Sequence, residues 1–299
     1  MKKEAKPVEQ QSLELAETKP NLQKHEPSVP DRFLGLMNKH YVVNVLPHLL
    51  KNHGISENQF LQIVSSEFKK NKRLQNAFIE NPSSLFASIL TGAEIGLIPS
   101  DLLGEFYLIP RKIDGKETIT PLIGYKGLVK LLLRSGGITK IHAECVYEGD
   151  VFNVEYGLEP NIQHIPNLDA LKNSQTLKYV YVVAKLTSGD FQFSVLSKAE
   201  IIKIKQMSLY SNDLYLNDKK DPQNWMVKKT VLIQLAKLLP KDYYGTKAVE
   251  LDSHIEGGAT LSLDENNQVR IVDGKKISVS RQPNVMNTFN NLPELEDGE

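Results

Sequence analysis

The sequence predicts an α+β fold in which a central antiparallel sheet carries a β-hairpin and packed helices. Three observations lead there. Apolar residues recur at helical spacing through the first third of the chain. From residue 105 onward the pattern changes to short runs rich in apolar and β-favouring residues. Most of those runs are joined by tight Asp-Gly and Gly-Asp turns, which suit antiparallel neighbours.

Residues 1–32 are rich in Lys, Glu, Gln and Pro and bury too little apolar surface to offset the entropy of ordering, so they read as a flexible arm. From Arg32 to Lys51 a helical period runs through Phe33, Leu36, Met37, Val42, Val45, Leu46, Leu49 and Leu50, until His53-Gly54 stops it. Ser56 and Gln59 form a capping box for a helix from Glu57 to about Lys69, with Phe60, Ile63, Val64 and Phe68 inward. Lys69, Lys70, Lys72 and Arg73 at its end read as solvated cations at the negative end of the helix dipole, with contact to phosphate as the alternative. Pro82 opens a third helix that runs to Gly96.

Asp114-Gly115 between the runs Glu105–Pro110 and Glu117–Ile123 predicts a hairpin. A helix follows from Gly124 to Arg134, broken by Gly136-Gly137. Strand patterns return at Ile138–Tyr147, Val151–Tyr156, Leu177–Leu186 and Phe191–Leu196. Ser197 and Glu200 make a second capping box, opening a helix with Lys198, Lys203 and Lys205. Beyond the polar loop 217–221, Trp225–Leu239 is a long helix carrying Lys228 and Lys229, so apolar that Trp225 itself reads as core. The segments ATLSL and QVRIVDG are weakly strand-like within a largely flexible end. The organisation is therefore an arm over 1–32, a core over 33–249 and a tail over 250–299. Within the core, a helical lobe covers about 33–95 and an α+β lobe about 96–249.

Formal net charge is zero, with 36 Lys+Arg and 36 Asp+Glu, but the charge is unevenly distributed. Residues 250–299 hold 4 basic and 10 acidic side chains and residues 1–30 hold 5 of each, leaving 27 basic and 21 acidic in 31–249. A basic body carries an acidic tail. Within that body Thr118–Ala143 contains Lys126, Lys130, Arg134 and Lys140 and no acid. Lys126, Lys130 and Arg134 lie four residues apart and share one helix face. Such a row suits a solvated face or a polyanion track, and the missing acids favour the track. Gly124 and Gly127 let another backbone or a phosphate approach its first turn.

The single cysteine, Cys145, excludes an intrachain disulfide and reads as a buried small side chain. No apolar leader and no apolar run near 20 residues is present, so the chain reads as a soluble protein of the cytosol. A phosphate-cradling G-x-x-x-x-G-K-[ST] loop is absent, which argues against ATP hydrolysis. His48, His53, His142 and His164 lack zinc spacing and read as structural. Glu144, Glu148, Asp150 and Glu155 could in principle hold a nuclease metal, but their spacing favours surface and turn roles.

Basic clusters recur at Arg111-Lys112, along the Lys126 helix, and at Lys198, Lys203, Lys205, Lys228 and Lys229, with Tyr107, Tyr125 and Trp225 nearby in sequence. Cations for a backbone beside flat side chains for bases is the pattern of single-strand binding. Four ordered blocks then carry a resemblance: GLIPSDLLGEFYLIPR (96–111), PLIGYKGLVKLLLRSGGI (121–138), YEGDVF (147–152) and NWMVKKTVLIQLAKLLPK (224–241). Over about residues 33–245 the chain resembles the RecT family of phage and prophage single-strand annealing proteins, distantly related to Red beta of phage lambda.

The resemblance implies ATP-independent annealing of complementary single strands in recombination, by an oligomeric ring or filament with a basic DNA-binding groove. It implies binding of single-stranded DNA and of the annealed duplex intermediate, and as partners an exonuclease and the host single-strand-binding protein. No metal and no cofactor is required, with magnesium at most modulating DNA binding. The DNA-binding residues it and the charge pattern select are Arg111, Lys112, Tyr125, Lys126, Lys130, Arg134, Lys198, Lys203, Lys205, Trp225, Lys228 and Lys229, with Lys126 and Lys130 foremost. A passive coating or replication-initiation module, a metal-dependent nuclease and a structural oligomer that binds an acidic protein are the competing readings.

Overall fold

The computed structural model describes residues 27–38, 44–208 and 214–272; the arm over residues 1–26 and the end of the tail lie outside the described residues. Helix α1 (Val29–Leu36) begins inside the expected arm, because Ser28 caps it and a proline stands in its first turn. The periodic stretch from Arg32 to Lys51 is two helices rather than one, since Pro47 opens α2 (Leu46–Lys51) and cannot continue a preceding helix. Helix α3 (Glu57–Lys70) starts where expected, but the Ser56 side chain makes no capping bond. Helix α4 (Lys72–Glu80) was not anticipated. Asn71 ends α3 in extended backbone, and its side chain accepts from the N–H groups of Arg73 and Leu74. Lys72 and Arg73 thus start a helix instead of finishing one, and Arg73 pairs with Glu117 at 3.0 Å.

Helix α5 (Pro82–Ile95) is buried on nearly all sides. Its buried hydroxyls are satisfied internally, Ser88 donating to the Ser84 carbonyl at 2.7 Å and Thr91 to the Ala87 carbonyl at 2.8 Å. Phe33 ties the helices together: its ring stacks on Phe68 at 4.1 Å and on Phe86 at 5.9 Å, with Phe78 edge-on at 5.7 Å.

Strands β1 (Phe106–Ile113) and β2 (Lys116–Ile123) form the expected hairpin in the register Phe106↔Ile123 to Ile113↔Lys116. Asp114 (φ 50°) and Gly115 (φ 81°) both take the left-handed backbone that a two-residue turn of this hand requires. Helix α6 (Tyr125–Arg134) follows at once. Next come β3 (Ile138–Tyr147), β4 (Val151–Glu155), β5 (Asn161–Ile165), β6 (Leu177–Leu186) and β7 (Phe191–Ser197).

The expected central sheet is smaller than the sequence suggests: β3, β6 and β7 form three antiparallel strands with β6 in the middle, while β1–β2 and β4–β5 pair separately. The β4–β5 pair leans on β6 through Phe152, whose ring stacks on Tyr179 and Tyr181, each at 5.5 Å. Helix α7 (Lys198–Met207) opens with the complete capping box of Ser197 and Glu200. Helix α8 (Trp225–Ala236) packs on the sheet and on α6, burying Val227, Val231, Leu232 and Leu235.

The core does not stop at residue 249. Helix α9 (Tyr243–Glu256) runs across that boundary and buries Leu251 and Ile255, and the antiparallel pair β8 (Thr260–Leu263) and β9 (Val269–Val272) packs on α5. The polar sequence of α9 hides this, because its inward face also carries Asp252, which is 6 % exposed and pairs at 2.5 Å with Lys229 of α8, 3 % exposed. Burial pushes the Asp252 carboxyl above its ordinary range, against the pull of the Lys229 ammonium. Five of the ten acids assigned to the tail, Glu250, Asp252, Glu256, Asp264 and Glu265, therefore stand on or beside folded elements. Asp252→Ala is expected to lower stability by about 3–5 kcal/mol, since it strands a buried ammonium. Urea unfolding measures the loss, and the paired change Asp252→Leu with Lys229→Met is expected to recover most of it.

Candidate nucleic-acid interface

The site begins with a close crossing of two backbones. The segment Gly104-Glu105, just before β1, passes over the first turn of α6, and the Gly124 N–H donates to the Glu105 carbonyl at 2.8 Å. A Cβ at Gly124 would lie 2.2 Å from the Gly104 carbonyl oxygen, and one at Gly127 would lie 2.1 Å from that of Glu105. Of the two approaches the glycines allow, the structure uses them for backbone.

This crossing fixes one wall of a cleft of about 410 Å³, made by Leu102, Tyr107, Tyr125 and Lys126. The start of α8 supplies the other wall with Asp221, Gln223, Trp225 and Met226. Lys126 is exposed, and its side chain makes no hydrogen bond or ion pair among the described residues. A second cavity of about 610 Å³ shares Gln223 and Trp225 and continues past Lys228 to Glu144, His164 and Tyr181. Trp225 thus stands between two adjoining hollows.

Trp225 is 39 % exposed, which overturns its reading as core. The reason is its place as the first residue of α8. The loop ahead of the helix folds under it, so the buried Asp221 carboxylate accepts from the Trp225 N–H at 2.9 Å and the Met226 N–H at 2.8 Å. Asn224 takes left-handed backbone (φ 56°), and its side-chain amide donates to the Tyr147 hydroxyl at 3.2 Å. The Trp225 ring lies 5.3 Å from that of Tyr125, tilted by 42°. Tyr125 is itself fixed, its hydroxyl accepting from the Ala143 N–H at 3.0 Å. The Lys228 ammonium sits 5.3 Å from the Trp225 ring centre and 3.1 Å from Glu144.

Of the residues the sequence selects, Tyr125, Lys126, Trp225 and Lys228 come together here from segments a hundred positions apart. The others are placed differently. Lys130 has the acidic partner its own helix lacks, Glu105 at 2.7 Å. Arg134 turns inward: its guanidinium meets His53 Nδ1 at 3.0 Å, donates to the Ile95 carbonyl at 2.8 Å and lies 5.2 Å from the Tyr244 ring centre. Burial holds the His53 imidazole below its ordinary range; the Glu94 carbonyl opposes this and Arg134 adds to it. Lys229 lines the same cleft, yet it is buried and its ammonium pairs with Asp252 rather than facing solvent. Arg111 donates to Thr120 Oγ1 at 2.7 Å, and Lys112 is exposed opposite Glu117 on the hairpin. Lys198 donates to the Gln175 carbonyl at 2.8 Å, Lys205 to the Tyr215 carbonyl at 3.2 Å, and Lys203 is exposed. None of these last five lines either cavity.

Three of the four carboxylates weighed as metal ligands are engaged elsewhere, and Glu155 is exposed on β4. Glu144 pairs with Lys228 and Glu148 with Lys178 at 3.2 Å. Asp150 accepts from the N–H groups of Tyr147 and Asn167, both at 2.8 Å, and lies 3.1 Å from His164 Nε2. Among the described residues no three His, Cys, Asp or Glu converge where a metal ion could sit, and no helix is long and apolar enough to cross a membrane. Sequence reasoning missed Asp221 and Gln223 as cleft residues. The signal available was an acid four positions ahead of an apolar helix.

Comparison with known proteins shows the family. The RecT family model matches residues 58–256. Protein RecT of Escherichia coli (strain K12) is 31 % identical over 229 residues, covering 73 % of this chain and 79 % of that protein. The chain belongs to the RecT family and is a recombination-related single-strand annealing protein. The Gly127 crossing tests the geometry of the site: Gly127→Ala forces a methyl into the Glu105 carbonyl and is expected to cost about 1–3 kcal/mol in urea unfolding. Gly136→Ala, where no neighbouring atom lies within 4 Å but φ is +78°, provides the comparison for backbone strain alone.

Proposed function

We propose that this protein anneals complementary single strands of DNA without ATP, holding their phosphates at the Lys126 side of the cleft. The observation that carries the reading is the gathering of Tyr125, Lys126, Trp225 and Lys228 around adjoining hollows, with Lys126 exposed and unpartnered among the described residues. Annealing requires that phosphates be gripped and Watson–Crick edges be left free. Cations on a polyanion bind by releasing counterions, which is indifferent to sequence. Base pairing supplies the free energy, so hydrolysis of a nucleotide is unnecessary.

On the same reading the protein works in a bacterial cytosol as a ring or filament on the paired intermediate. An exonuclease that makes the strands and the host single-strand-binding protein are its partners. No catalytic group or cofactor takes part, and magnesium acts only on DNA affinity.

Two labelled complementary oligonucleotides are expected to pair faster with the protein than without it, in the absence of ATP. Binding without acceleration would leave a passive coating protein, and shortening of the strands in magnesium or manganese would leave a nuclease. Lys126→Ala is expected to flatten the slope of log K against log salt by about 0.7, the value for one phosphate on a single strand. The paired change Asp252→Leu with Lys229→Met, which removes only the internal pair, is expected to leave that slope unchanged.

A further inference from the structure

We propose that the cleft walled by Tyr107, Tyr125 and Trp225 takes a single unpaired nucleobase from the bound strand, with the phosphate beside that base held by Lys126. The inference rests on the single-strand reading above and adds a base-binding site to it.

A cleft with three aromatic rings and several apolar side chains beside an exposed cation has few natural occupants. Leu102, Ile109, Leu122 and Met226 line the cleft with the three rings, Asp101, Lys220, Asp221, Gln223 and Lys229 add polar groups to it, and the volume of about 410 Å³ falls at the small end of ligand sites, about 300–1,000 Å³. The Lys126 side chain makes no hydrogen bond or ion pair among the described residues, so an anion would not have to displace a carboxylate paired with it. A group that is planar and uncharged at one end and anionic at the other matches both features, and a nucleotide within a strand is such a group. A base inside a duplex has its faces stacked and its edge paired, so only an unpaired base can enter.

The platform is built rather than incidental. Trp225 begins a helix whose following residues are buried, yet it remains 39 % exposed. Its backbone is held by the Asp221 carboxylate, and its ring rests 5.3 Å from a tyrosine whose hydroxyl is tied to the Ala143 N–H. A ring fixed in advance loses little freedom when a base stacks on it. Lys228, 5.3 Å from the ring centre, keeps a cation beside the indole and is free to exchange Glu144 for phosphate as the strand seats.

Trp225 is the chain's one tryptophan, so its emission reports on this cleft directly. The test compares an oligothymidylate with a strand of the same length and phosphate number in which every nucleotide is abasic. The thymidylate strand is expected to quench the emission and to bind about fivefold to a hundredfold tighter, the range for one aromatic stack, with the same salt slope for both strands. Trp225→Leu, shown folded by circular dichroism, is expected to bind the two strands alike. Equal affinity of the unaltered protein for both strands, without quenching, overturns the base site while leaving single-strand binding intact. Failure to bind either strand overturns the single-strand reading and the base site together. Annealing measured on the same samples reports separately on the proposed function.

Discussion

The crossing of Gly104-Glu105 over the first turn of α6 is the contact on which the site depends. Two glycines one helical turn apart let the Glu105 carbonyl come so near that a Cβ at Gly127 would stand 2.1 Å from it. The crossing joins the base of the β1–β2 hairpin to the helix that carries Tyr125 and Lys126. The same segment supplies Glu105, which engages Lys130 and leaves Lys126 as the cation of that helix face whose side chain has no partner among the described residues. Arg134, at the far end, anchors α6 against Ile95 and His53. One face of one helix thus carries three cations with three duties.

A similar division runs through the rest of the basic body. Arg73, Lys228, Lys229 and Lys247 all pair with carboxylates contributed by other elements. Net charge therefore overstates the field available to a polyanion, because a paired cation must first exchange its partner. Lys229 lies too deep for exchange, whereas Lys228 is held by Glu144, a half-exposed carboxylate at the edge of the second cavity. On the proposed reading, the cleft grips DNA with a few well-placed cations and a fixed aromatic surface rather than with a continuous basic stripe.

Much of this was legible in the sequence where local chemistry decides the outcome. The Asp114-Gly115 hairpin, the Ser197–Glu200 capping box, the helix opened by Pro82 and the Gly124–Arg134 helix follow from residue types at fixed spacing. What the sequence concealed depends on partners far along the chain. Helix α9 looks polar because its buried face carries Asp252, whose partner is 23 residues away on α8. Trp225 looks like core because its helix is apolar all round, and only the loop folded beneath the helix start shows why it reaches solvent. Helix α4 was hidden because Asn71, which caps it, sits amid the lysines that end α3. The cleft itself was half visible: its residues were named, but no spacing rule joins position 126 to position 225.

Photo-crosslinking tests the central claim, that single strands lie in the cleft around Trp225, most directly. A strand carrying 5-iodouracil, irradiated with the protein and digested, is expected to be attached to peptides containing Tyr107, Tyr125 or Trp225. Attachment confined to peptides from α7 or from the Asp114-Gly115 end of the hairpin, with none at those three aromatics, would contradict it.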